Sequence, residues 1–166
     1  MSHPRGRDSH PNRPVKDNPG VIAPPPLIYI GALALGLALH AAFRVAVLPV
    51  TVARILGVLL IACAAAIFVS ALRAMARAGT SFRTERPTTA IVTDGPFGYT
   101  RNPIYVALTL LYVGIALTIN ALWVLLLIVP VIVVMQLGVV AREERYLERK
   151  FGDKYVGYKA RVRRWV

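Results

Sequence analysis

Charge is what this chain has least of. Only 17% of its 166 residues are charged against 56% apolar, and just 8 are acidic. A soluble domain of this size carries about a quarter charged residues and under half apolar ones, so a soluble enzyme built round one central core does not fit. Cysteine is nearly missing. Cys63 stands alone, which excludes a disulfide framework, and a thiol in the middle of an apolar run is expected to be buried, inert packing. Histidine is confined to His3, His10 and His40. No pair of them has metal-ligand spacing, so no metal site is expected. There is no glycine-rich phosphate loop and no nucleophile elbow. The net charge of +12 comes without an aromatic-interleaved basic patch, so nucleic acid is not an expected partner.

What the chain does have is long uncharged runs. Asp17 and Arg44 bracket 26 such residues, Arg54 and Arg73 bracket 18, and Arg101 and Arg142 bracket 40. A helix needs about 20 apolar residues to cross about 30 Å of hydrocarbon. The third run is twice that and must fold back on itself, with Thr118, Ile119 and Asn120 near its middle. The expected fold is therefore an all-α integral membrane protein with four transmembrane helices, at about 25–43, 52–75, 104–119 and 121–140. A tight hairpin joins helices 3 and 4, and an amphipathic C-terminal helix follows. Pro24, Pro25 and Pro26 open the first span, and Pro130 is expected to kink the fourth. Ala32 and Gly36 form a pair of small residues suited to close helix contact, and Ala62–Ala66 is rich in alanine. Residues 1–23 read as a disordered cytoplasmic tail rather than a cleavable signal, and 24–166 as one domain.

Charge placement sets the expected orientation. Of 20 Lys and Arg residues, the outer loop near residues 44–54 holds only Arg44 and Arg54, so both termini are expected in the cytoplasm. The basic segments would also attract anionic lipid headgroups. The short chain and its Arg, Ala, Val and Leu content point to a bacterial inner membrane.

The polar chemistry collects in two segments, 79–105 and 141–166, which the hairpin must bring together at one membrane face. In the first, Asp94-Gly95-Pro96 and Gly98 are turn signals, and Asn102-Pro103 reads as a helix start. In the second, Leu147, Phe151, Tyr155, Tyr158, Val162 and Trp165 fall on one helical face, with Gly152-Asp153 as an interruption. Such a helix would lie on the headgroups. Glu143 and Glu144 stand where Lys and Arg are usual, so they are expected either to pair with Arg101, Arg142 or Arg145 or to hold a cationic or hydroxyl-bearing ligand.

The run Thr93-Asp94-Gly95-Pro96-Phe97-Gly98-Tyr99-Thr100-Arg101-Asn102-Pro103-Ile104-Tyr105 resembles the first signature of the isoprenylcysteine carboxyl methyltransferase and phospholipid methyltransferase superfamily. Glu143-Glu144, Leu147, Phe151-Gly152, Tyr155, Tyr158 and Val162 resemble its second. The resemblance covers residues 79–165 and implies S-adenosylmethionine as methyl donor, held in a cytoplasmic pocket that a lipophilic substrate reaches from the bilayer. It implies cofactor-binding roles for Gly98, Arg101, Asn102, Pro103, Tyr105, Glu143, Glu144, Leu147, Tyr155 and Tyr158, and catalytic roles for Arg101, Glu144 and Arg161. Many members carry histidine at the position of Asn102, and asparagine cannot serve as a titrating base. The acceptor is expected to be an isoprenylcysteine-like carboxyl group or a lipid amine. A non-catalytic membrane scaffold and a nicotinamide-dependent enzyme resembling sterol reductases are the alternatives.

Overall fold

The computed structural model describes residues 19–80 and 90–165. Among them the chain is helical, with no strand. Helix α1 runs Pro25–Ala42 and α2 Val50–Arg77. A 3₁₀ turn, Gly95–Gly98, leads to α3, Pro103–Ile119. A nearly continuous helix then follows from Leu122 to Phe151, made of α4 (Leu122–Leu126), α5 (Ile128–Val134), a π-helical segment (Met135–Val140) and α6 (Ala141–Phe151). Helix α7, Asp153–Arg161, closes the order. Three helices are long and apolar enough to cross a membrane: α1, α2 and Leu122–Phe151; α3 is a shorter apolar helix.

Local chemistry explains the breaks. Proline at the first positions of α1 and α3 costs no hydrogen bond, because the first turn has no intrahelical acceptor for its N–H groups. Pro130 crowds the carbonyl four residues back, at Leu126, and the helix is interrupted between Leu126 and Ile128. Gly152, at φ 54° and ψ −132°, separates α6 from α7, a left-handed turn that glycine adopts without a Cβ clash.

Small residues set the packing. Ala53, Gly57, Ala64, Ala71 and Ala74 form the buried seam of α2, which lies against α3. A Cβ on Gly57 would come 2.7 Å from the Gly114 carbonyl oxygen, and one on Gly114 would come 2.9 Å from that of Gly57. The two backbones approach as closely as small-residue membrane contacts allow. Gly36 does the same for α1, where a Cβ would meet Val124 Cα at 2.8 Å. Tyr29, Tyr105, Tyr112, Val131, Met135 and Val139 fill the interior. Cys63, expected to be buried, is instead exposed on the outer side of α2, because the seam of that helix is taken by the small residues.

The α3–α4 hairpin turns at Asn120, in the left-handed conformation (φ 58°) that asparagine tolerates. Its Oδ1 accepts from the N–H groups of Val47 (2.8 Å) and Leu48 (3.1 Å), and its Nδ2 donates to Leu48 O (2.7 Å). Trp123 Nε1 donates to Phe43 O, and Leu122 N to Val45 O. The α1–α2 loop is thus fastened to the hairpin, and the polar segments lie at the opposite end.

Of the tail expected at 1–23, residues 1–18 lie outside the described residues. Residues 19–23 pack on the bundle: Ile22 N donates to Gly138 O in the π segment, Ile22 seats on Gly138, and Arg142 Nη1 donates to Gly20 O (2.9 Å).

Candidate functional site

Where the start of α3 meets α6 and α7, a cavity opens. It is lined on one side by Ala90–Val92, Phe97, Arg101, Asn102, Pro103, Ile104 and Tyr105, and on the other by Glu143, Glu144, Tyr146, Leu147, Tyr155 and Tyr158, with Pro19, Met75 and Thr80 at its margin. Residues 81–89 of the first polar segment lie outside the described residues. Nine of the residues expected in the site therefore converge: Arg101, Asn102, Pro103, Tyr105, Glu143, Glu144, Leu147, Tyr155 and Tyr158. Two do not line it. Gly98 sits in the turn beside it, and Arg161 is exposed on α7 with its Nε donating to Gly157 O.

Glu144 is the electrostatic centre. It is 5% exposed, and the Arg164 guanidinium grips it with a fork, Nε to Oε1 at 3.0 Å and Nη2 to Oε2 at 2.6 Å. Paired hydrogen bonds of this kind are the strongest that a carboxylate makes with a side chain. Arg101 Nη1 also lies 2.8 Å from Glu144 Oε1. Its N–H directions miss that oxygen, so Arg101 Nε and Nη1 are both buried without a hydrogen-bond acceptor. Buried donors are almost always satisfied, and these two belong to a side chain lining the cavity.

Glu143 is held differently. Tyr105 OH donates to its Oε1 at 2.7 Å, and no cation among the described residues reaches it. The α7 tyrosines complete the wall. Tyr158 OH donates to Phe97 O at 2.7 Å, and burial pushes its hydroxyl up to about 12 against the slighter opposing pull of Arg101. Tyr155 is pushed up further, by burial first and then by the Glu144 charge. The hydrogen bond to Glu144 raises Arg164, which stays charged. A ligand with an anionic and a cationic end would find Arg101 for one and Glu143 for the other.

One expectation needs correcting. The tail helix does not carry its apolar face through to Trp165. It ends at Arg161, and the chain turns extended at Val162, so that Arg164 rather than Arg161 reaches the site. On α7, Tyr155 and Tyr158 are buried and line the cavity. Asn102 does stand at the N-cap position of α3, but its side chain caps nothing. Its Nδ2 donates to Arg164 O at 2.8 Å. Helical spacing, carried past the real end of the helix, hid Arg164; the pair of arginines before Trp165 was the only sign of it in the sequence. No group of His, Cys, Asp and Glu suited to a metal occurs among the described residues.

An uncharacterized protein of Haemophilus influenzae is 47% identical over 62 residues, which make up 36% of this chain and 97% of that protein. No solved structure matches the chain. The phospholipid methyltransferase family matches residues 52–154, a stretch that takes in α2, α3, the long helix and both glutamates. With more than half of its length matched, the chain belongs to the phospholipid methyltransferase family.

Proposed function

We propose that this protein transfers a methyl group from S-adenosylmethionine to a lipophilic acceptor drawn from the bilayer, at the cytoplasmic face of a bacterial inner membrane. In this reading α3 is a fourth span, both termini are cytoplasmic, and the site end of the bundle is the inner one, where nearly all the Lys and Arg residues lie. The carrying observation is Arg101, whose buried Nε and Nη1 donors have no acceptor in a cavity built by both polar segments.

The residues fit the donor's chemistry. Arg101 offers unused donors to a carboxylate. Glu143, which no cation among the described residues reaches, offers a carboxylate suited to an ammonium or sulfonium. The Tyr105 and Tyr155 rings can face a positive centre, worth about 0.5–2 kcal/mol. Ile91, Val92 and Leu147 give apolar surface for a flat base. When bound, S-adenosylmethionine supplies an already activated methyl group, leaving binding and orientation to the protein. Of the two acceptor classes, Glu143 favours the lipid amine. A carboxylate acceptor would be repelled there, whereas an ammonium would be held and its proton taken by the carboxylate that Tyr105 fixes.

The test is calorimetric titration of the detergent-purified full chain with S-adenosylmethionine and with S-adenosylhomocysteine, beside Glu144→Gln and beside NADPH. Binding of the adenosyl compounds, weakened at least about tenfold in the variant, is the expected result. Binding of NADPH instead, or of none of these ligands by well-folded protein, would overturn the reading.

A further inference from the structure

The chain beyond α7 is stitched into the site although it lies past the last residue of the family match, Lys154. Arg101 N donates to Arg163 O at 2.9 Å. Thr100 Oγ1 (3.2 Å) and Asn102 Nδ2 (2.8 Å) both donate to Arg164 O. Trp165 Nε1 donates to Gln136 Oε1 at 2.9 Å, in the π segment. Residues 163–165 are therefore pinned on two sides, against the three residues before α3 and against the long helix. This fixes the Arg164 backbone, so the side chain approaches Glu144 from one direction only.

The consequence concerns Arg101. The Arg164 fork takes both Glu144 oxygens in hydrogen-bond geometry, and Oε1 is shared with Arg101 Nη1, 2.8 Å away. Arg101, with a side chain only 9% exposed, is left close enough to Glu144 to be neutralised but not bonded. Were the fork absent, Arg101 could turn its own fork onto Glu144 and bury its donors there. We propose that Arg164 is a positioning residue whose fork on Glu144 holds Arg101 out of hydrogen-bond geometry there, so that Arg101 keeps its buried Nε donor free for an anionic group of the ligand, a carboxylate or a phosphate.

This inference rests on the methyltransferase reading, and the experiment separates the two. The variant is Arg164→Lys, which keeps the charge and cannot form the fork. The full chain in detergent is titrated with S-adenosylhomocysteine and with its decarboxylated analogue. In a second arm its thermal midpoint is read with and without phosphatidic acid in the micelles. The wild type is expected to prefer the carboxylate-bearing compound by about tenfold if the anion is the donor's carboxylate, or to be stabilised by phosphatidic acid if it is a lipid phosphate. Arg164→Lys is expected to lose most of that discrimination, in whichever arm shows it, while its folded fraction still binds the adenosyl compounds. A purely structural role would move the midpoint and leave the discrimination intact. Arg164→Gln removes the charge as well as the fork; its folded fraction is expected to lose the same discrimination with a lower midpoint. Unchanged discrimination in these variants, or a wild type that binds but discriminates in neither arm, overturns the inference alone. A wild type that binds neither adenosyl compound overturns the methyltransferase reading and the inference with it.

Discussion

Each end of the helix bundle buries a polar side chain where two chain segments cross, and the two are treated in opposite ways. At the hairpin end, Asn120 is 8% exposed, and both its amide oxygen and its amide nitrogen are bonded to the backbone of the α1–α2 loop. At the site end, Arg101 is as deeply buried, yet two of its nitrogens have no acceptor. A buried donor without a partner costs about 1–3 kcal/mol, so the site end keeps a cost that the hairpin end has removed. The satisfied Asn120 fastens two segments; the unsatisfied Arg101, lining a cavity, is the group that the proposed reading assigns to a ligand.

The comparison can be broken by mutation. The largest effect is expected from Glu144→Gln, which leaves Arg101 and Arg164 facing each other without their shared counter-charge. Removing one partner from a buried ion pair costs about 3–5 kcal/mol, and ligand affinity should fall with it. Denaturant titration and calorimetry read the two losses. Asn120→Ala comes next, at about 2–3 kcal/mol for the lost bonds and the left-handed backbone. Its folded fraction should bind ligand as the wild type does; weakened binding there would erase the distinction between the two ends. Tyr105→Phe removes the hydrogen bond to Glu143, at about 1 kcal/mol. Its mark should be clearer on the affinity for positively charged ligands than on the melting temperature.

A further effect, absent at neutral pH, appears only in alkaline solution. The Tyr158 hydroxyl ionises near 10.0 when free and near 12 in the fold. Stability from keeping it neutral is full below pH 10 and drains away as pH rises from 10 through 12. Melting curves of the wild type should fall more steeply over that window than those of Tyr158→Phe, which starts lower at neutral pH for want of its bond to Phe97 O.

Much of this was legible in the sequence. Run length and the lone Asn120 located the hairpin, Asn102-Pro103 located the start of α3, and Gly152 located the break before α7. These features are local, set by one residue's preferred dihedral or missing N–H. The paired motifs brought most of the cavity's lining into view. What stayed hidden depends on partners far apart in the chain. Arg164 reaches Glu144 only because the helix stops at Arg161, and Asn102 serves the tail rather than its own helix because Arg164 O lies nearby. Nothing in the run from Met135 to Val140 announces wide helical turns either. They appear where Gly138 leaves room for Ile22 and its carbonyl accepts the Ile22 N–H.

Those wide turns also set the angular phase of everything after them. An α-helix advances by about 100° per residue, so each extra residue per turn rotates the following helix relative to the apolar helix before it. The π segment therefore decides which way α6 faces, and Glu143 and Glu144 look into the cavity through that rotation. Deleting one residue between Met135 and Val140 would leave the apolar composition nearly unchanged and swing both carboxylates by about 100°. The membrane-facing half of the long helix and its chemical half are thus indexed to each other like two gears on one shaft, and length in the first is direction in the second.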